Sequence, residues 1–187
     1  MNETILHFID KSNYLPGPWK DEPDKVVWKD PETNLDCMIR RNSIGVWCGY
    51  VGVPEEHPAY GKHYHEFEFN DDKCENTEID YAQKKINDIE VHGGLTFAGP
   101  CSEDEKETGI CHKSDKEVYW FGFDCGHVYD YMPGMGADVL ALDDISEQTK
   151  NLFETMRNRK DFETYRDMDY AKAEVKSLAK QLSEIKL

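Results

Sequence analysis

The chain has 187 residues, 39% hydrophobic and 32% charged, with 38 Asp and Glu against 22 Lys and Arg and a formal net charge of −16. That length is enough to bury a sizeable core, and the composition is that of a globular rather than a disordered chain. An acidic surface of this size repels nucleic-acid phosphates and anionic lipid, which argues against nucleic-acid and membrane partners. A small anionic ligand stays open, because a local cluster of Arg and backbone N–H groups overrides a global field.

No apolar run is long enough to span a bilayer, and residues 1–10 lack a basic stretch followed by an apolar one, so a cytoplasmic location is expected. Six cysteines are too sparse for a disulfide scaffold and are expected to be reduced. Cys37 and Cys48 read as small core hydrophobes, and Cys74 as exposed.

In chain order, Pro16-Gly17-Pro18 and Glu22-Pro23-Asp24 bracket Trp19, an anchoring aromatic. Residues 26–30 and 35–41 flank the turn-forming Pro31-Glu32-Thr33-Asn34 and predict a hairpin. Asn42-Ser43 then turns the chain into 44–53, completing a three-stranded meander that Pro54 ends. Residues 63–69 alternate and predict a strand with His63, His65 and Phe67 on one face. Residues 70–85 read as a polar insertion with a short helix over 79–85. Strands are predicted over 89–97 and 117–125, joined by an acidic surface loop over 102–116.

Past Pro133-Gly134 the pattern becomes helical. Ser146 is a candidate N-cap for a helix over 146–159. Residues 165–187 form the clearest helix, where Met168, Ala171, Val175, Leu178, Leu182 and Ile185 make one apolar stripe. The stripe either packs across the sheet or lends part of itself to a homo-oligomeric seam. Strands followed by helices predict an α+β fold, an antiparallel meander packed by C-terminal helices. One domain over 1–187 is expected, mainly β to residue 135 and helical from 146.

Two segments concentrate chemistry: Val91-His92-Gly93-Gly94-Leu95-Thr96-Phe97 and Trp120-Phe121-Gly122-Phe123-Asp124-Cys125-Gly126-His127. Each sets polar side chains beside glycines, where another backbone or a ligand can approach closely. Three chemistries fit. His63 and His65 with His92 and Asp124 or Asp130 are one metal grouping, and Cys101, Cys111, His112 and Cys125 are another. Neither has the paired close spacing of a zinc site, and no metal or cofactor is assigned. Cys125 with His127 or His92 is a candidate nucleophile pair, although a cysteine at a strand end is more often core filler. Ligand binding is the third, and its candidate residues are His92, Gly93, Gly94, Thr96, Trp120, Asp124, His127, Asp130, Trp47 and Arg166. Aromatics such as Tyr129 stack bases, while Arg40, Arg41 and Arg166 supply local positive charge. The competing reading is that aromatics alternating in a sheet are core.

Those two segments, with Gly-Pro-Trp at 17–19, Glu-Pro-Asp at 22–24, Trp-Cys-Gly-Tyr-Val-Gly-Val at 47–53, His-Pro at 57–58, Asp130, Pro-Gly at 133–134 and Tyr-Arg at 165–166, resemble a family of uncharacterised bacteriophage and bacterial proteins. The resemblance covers most of the chain and implies no particular activity. By analogy with phage accessory proteins that capture host defence signals, the expected function is binding, and sequestration, of a small polar nucleotide-derived ligand in the host cytoplasm. The alternative is a small-molecule hydrolase, metal-assisted or not, using a His/Asp/Cys pocket. There His92 or His127 acts as general base and Asp124 or Asp130 orients it. A protein mimic whose acidic surface blocks a basic partner is the third expectation.

Overall fold

The computed structural model describes residues 3–65, 69–70, 75–76, 80–100, 109–110, 117–140, 142, 144–157 and 162–186. In chain order these form β1 (Thr4–Leu6), β2 (Lys25–Lys29), β3 (Asp36–Arg41), β4 (Trp47–Pro54), β5 (Phe69–Asn70), β6 (Glu75–Asn76), α1 (Tyr81–Asn87), β7 (Phe97–Pro100), β8 (Val118–Asp124), α2 (Ala137–Leu140), α3 (Glu147–Arg157) and α4 (Met168–Ser183). Six strands make one antiparallel sheet in the order β1-β2-β3-β4-β8-β7, and β5 pairs with β6 apart from it. The fold is α+β, with α3 and α4 at the C-terminal end. No helix of the described residues is long and apolar enough to cross a membrane.

Local chemistry explains the meander. At the β2–β3 tip the Asp30 carboxylate accepts from the Thr33 backbone N–H and hydroxyl, each at 2.8 Å, and Asn34 takes the left-handed φ of 58° that asparagine tolerates. At the next turn the Asn42 side-chain oxygen accepts from the N–H groups of Ile44 and Val46.

The α4 stripe packs on β3 and β4. Ala171, Val175, Leu178 and Leu182 are fully buried against Ile39, Trp47, Val51, Phe121 and Phe123. Each fully buried Val or Leu contributes about 1.5–3 kcal/mol, so this face is a principal source of stability. Gly49 permits the approach, since a Cβ there would lie 2.4 Å from Phe123 and 2.6 Å from Val175. The stripe is consumed inside the chain, which removes it as an oligomeric seam. The opposite face of the sheet buries Val27, Met38, Cys48, Tyr50, Val118 and Trp120.

Several expected boundaries move. α4 starts at Met168, because the Asp167 carboxylate caps it by accepting from the Tyr170 N–H at 2.8 Å. Ser146 caps α3, its hydroxyl accepting from the Thr149 N–H at 3.1 Å. The strand expected over 89–97 begins only at Phe97, because two left-handed glycines turn the chain before it. Residues 63–65 are not a strand, and the His63 carbonyl accepts from Gln83 of α1 instead. The readings of Cys74, Cys101, Cys111 and His112 lie outside the described residues.

Candidate functional site

Two turns and the start of α4 meet at the end of the sheet where β8 finishes. In the first turn the Gly94 N–H donates to the Val91 carbonyl at 2.9 Å, with Gly93 at φ 68° and Gly94 at φ 83°. L side chains rarely adopt such φ values, so the Gly-Gly pair is what lets the chain reverse and present His92. In the second turn the Asp130 N–H donates to the His127 carbonyl at 3.0 Å. Tyr129 occupies a left-handed φ of 74°, a strained state costing roughly 1–3 kcal/mol. Thr164 clamps that turn, donating its N–H to the Tyr129 carbonyl at 2.7 Å and accepting from the Tyr131 N–H at 2.9 Å.

Asp130 is the hub. One carboxylate oxygen accepts from Arg166 Nε at 2.9 Å; the other accepts from His92 Nε2 at 2.7 Å and from the His127 backbone N–H at 3.1 Å. Burial works to raise its pKa, but the hydrogen bonds from Arg166, His92 and His127 together outweigh it, and the carboxyl is held below the usual value. A carboxylate only accepts, so Nε2 of His92 carries the proton. In the neutral ring Nδ1 then accepts from the Tyr170 hydroxyl at 2.9 Å. Burial, and next the Glu174 charge, raise the Tyr170 pKa and keep that phenol protonated. Glu174 also accepts from the His92 backbone N–H at 2.8 Å.

His127 is held differently. Its ring meets His92 edge-on at 5.3 Å and lies over Gly93, where a Cβ would come within 2.0 Å of it. Its Nδ1 is buried and has no hydrogen-bond partner among the described residues. The nearest oxygens of Asp124 and Asp130 are each 3.9 Å away, beyond hydrogen-bond reach. On the far side, Asp124 accepts from the Thr96 hydroxyl at 3.1 Å and the Gly126 N–H at 2.9 Å.

The structure therefore brings His92, Gly93, His127, Asp130 and Arg166 together, with Gly94, Thr96 and Asp124 beside them. Trp47 and Trp120 are not part of the cluster. Trp47 is fully buried beneath the Arg41 guanidinium, 4.1 Å from its ring centroid, and Trp120 belongs to the core of the opposite sheet face. Arg41 is likewise buried, donating to Glu22, to the Tyr165 oxygen at 2.7 Å and to the Gly45 carbonyl at 2.7 Å, so it offers no charge to a ligand.

Cys125 is buried, and burial first, then the charges of Asp130, Cys48 and Asp124, push its thiol well up. This is the opposite of what a nucleophile requires. Cys48, also buried, is pushed up to about 12. His63 and His65 contribute nothing to the metal-capable group found among the described residues, which is His92, His127 and Asp130. Tyr170 and Glu174 were missing from the sequence reading. Their signal is an interval of four from Arg166, which sets all three along one side of α4 and the residues leading into it, but the apolar stripe dominates that stretch. Clefts of about 710, 480 and 340 Å³ open elsewhere on the surface.

Fold and cluster together define an α+β protein with a polar, hydrogen-bonded histidine–aspartate–arginine site at one end of its sheet. No family model matches the chain, and no curated protein or solved structure matches it.

Proposed function

We propose that this end of the sheet binds a small anionic ligand of nucleotide type. The observation that carries the reading is the Arg166 guanidinium. Its Nε is engaged by Asp130, while its two terminal nitrogens have no hydrogen-bond partner among the described residues and the side chain is 30% exposed. A planar fork of N–H donors suits a phosphate, which accepts from two of them at once. Tyr129, 72% exposed on the turn that carries Asp130, offers an aromatic face for a base. Asp124 and Thr96 are within reach as polar partners for hydroxyl or amino groups of the ligand.

Sequestration is favoured over turnover. The Cys125 thiol is unsuited to attack, and both ring nitrogens of His92 are engaged, so of the candidate nucleophile and bases these two are not free. A captured nucleotide-derived signal in a host cytoplasm is the reading that joins this site to the resemblance with phage proteins. Hydrolysis with His127 as base is the second reading, favoured by its unpartnered Nδ1.

Calorimetry and native mass spectrometry with ADP, inorganic pyrophosphate and adenosine test the proposal. ADP and pyrophosphate bind and are recovered intact on denaturation, adenosine binds weakly or not at all, and Arg166→Ala weakens ADP at least ~10-fold, the loss expected for charge-assisted hydrogen bonds. Adenosine binding as tightly as ADP, or an Arg166→Ala variant that binds ADP normally, overturns it. Recovery of a hydrolysed product replaces sequestration with the second reading.

A further inference from the structure

His127 Nδ1 poses a separate question. A buried ring nitrogen without a partner is costly, and native structures seldom leave one unless something is meant to meet it. The groups around it are the ones a metal ion uses. One donor atom from each of His92, His127 and Asp130 lies within 4.8 Å of the others. The Nε2 of His92 is 2.7 Å, and the Nδ1 of His127 3.9 Å, from the same Asp130 oxygen. Three donors at about 2.0–2.2 Å from a common ion stand roughly 3–3.5 Å apart, and the two separations from Asp130 lie on either side of that distance.

We infer that His92, His127 and Asp130 form a two-histidine, one-carboxylate site for a divalent transition-metal ion of the zinc or iron class. The supporting groups are already in place. Tyr170 meets the remaining nitrogen of His92, Arg166 holds the other oxygen of Asp130, and Gly93 provides the flat bed that fixes the His127 ring. Such outer contacts orient metal ligands and set their tautomers. The donor set is nitrogen-rich, which favours zinc, iron or cobalt over magnesium or calcium.

Binding requires one rearrangement. The His92 proton moves from Nε2 to Nδ1, so that the ring donates to the Tyr170 oxygen rather than accepting from its hydroxyl. The ion replaces that proton between His92 and Asp130, and His127 uses the Nδ1 lone pair that has no partner now. The site stands on its own donors and does not require the ligand reading of Arg166 to hold.

The test uses the full chain, stripped with EDTA and titrated with CoCl₂ by visible absorption and with ZnCl₂ by calorimetry. Expected are one ion per chain, a cobalt spectrum of nitrogen and oxygen ligation, and at least ~10-fold weaker zinc binding in His92→Ala, His127→Gln and Asp130→Asn. Tyr170→Phe keeps the stoichiometry and weakens binding ~10-fold, whereas His63→Ala and His65→Ala change nothing. Circular dichroism confirms that each variant is folded, and His127→Gln preserves the most packing. No binding, binding that survives His127→Gln and Asp130→Asn, or a thiolate-to-cobalt charge-transfer band assigning the ion to cysteines overturns the inference. Arg166→Ala separates the two proposals: it weakens ADP in metal-free protein, while zinc still binds one ion per chain, though more weakly because Asp130 loses the contact that holds it.

Discussion

Gly93 and Gly94 show how much one side chain decides. Both sit at left-handed φ, but a Cβ on Gly93 would strike the His127 ring, while nothing lies within 4 Å of one on Gly94. Gly94→Ala therefore carries only the backbone penalty of about 1–2 kcal/mol. Gly93→Ala adds a collision that displaces His127, so it lowers the melting temperature further and also perturbs the His127 imidazole resonances. Equal thermal shifts for the two variants, with unmoved His127 signals, would mean that the ring is not seated on Gly93. The Gly-Gly pair and its flanking histidine were legible in the sequence as a place where another backbone or a ligand approaches closely, although on a strand rather than a turn. That His127 would be the neighbour was not legible, because the contact joins residues far apart along the chain.

α4 carries the chief apolar packing and also a titratable attachment at its C-terminal end. His57 Nε2 donates to the Leu182 carbonyl at 3.1 Å, and its Nδ1 accepts from the Ala59 N–H at 3.1 Å, an arrangement only the neutral ring can satisfy. Burial is the larger influence on His57 and lowers its pKa below 6.5, against the raising effect of the Leu182 carbonyl. The folded value lies below the unfolded one, so this stabilisation is fully present above pH 6.5 and is lost as pH falls through the folded value. Urea midpoints measured between about pH 5 and 7 should fall on acidification in the parent, with a shallower slope in His57→Ala. Parallel slopes would show that another group sets the dependence. The helix itself was plain from its three-and-four apolar spacing. Its start was misplaced because Asp167, not the apolar pattern, determines where the backbone enters the helix.

At the scale of the whole molecule the net charge of −16 opposes compaction. Paired groups such as the buried Arg41 with Glu22, and Lys11 with Asp24, are weakly screened, while among the described residues the carboxylates other than Asp24, Asp30 and Asp130 are not buried, and there salt acts. Raising NaCl from about 20 to 500 mM shortens the Debye length to a few ångströms, and the melting temperature should rise. A fall would mean that attractive surface pairs outweigh the repulsion.

What the sequence by itself determined was whatever depends on neighbours in the chain. The β2–β3–β4 meander follows from alternation and turn residues, the α4 stripe from helical period, and the capping role of Ser146 from a side chain bonding a backbone N–H three residues on. Tertiary structure alone decided the insertion of β8 between β4 and β7, the burial of Trp47, Trp120 and Cys125, and the meeting of His92 with Asp130 and Tyr170. The physical reason is range. Turn chemistry and periodicity act over a few residues, whereas a buried hydrogen-bond network forms only where strands and helices from distant parts of the chain are brought into register.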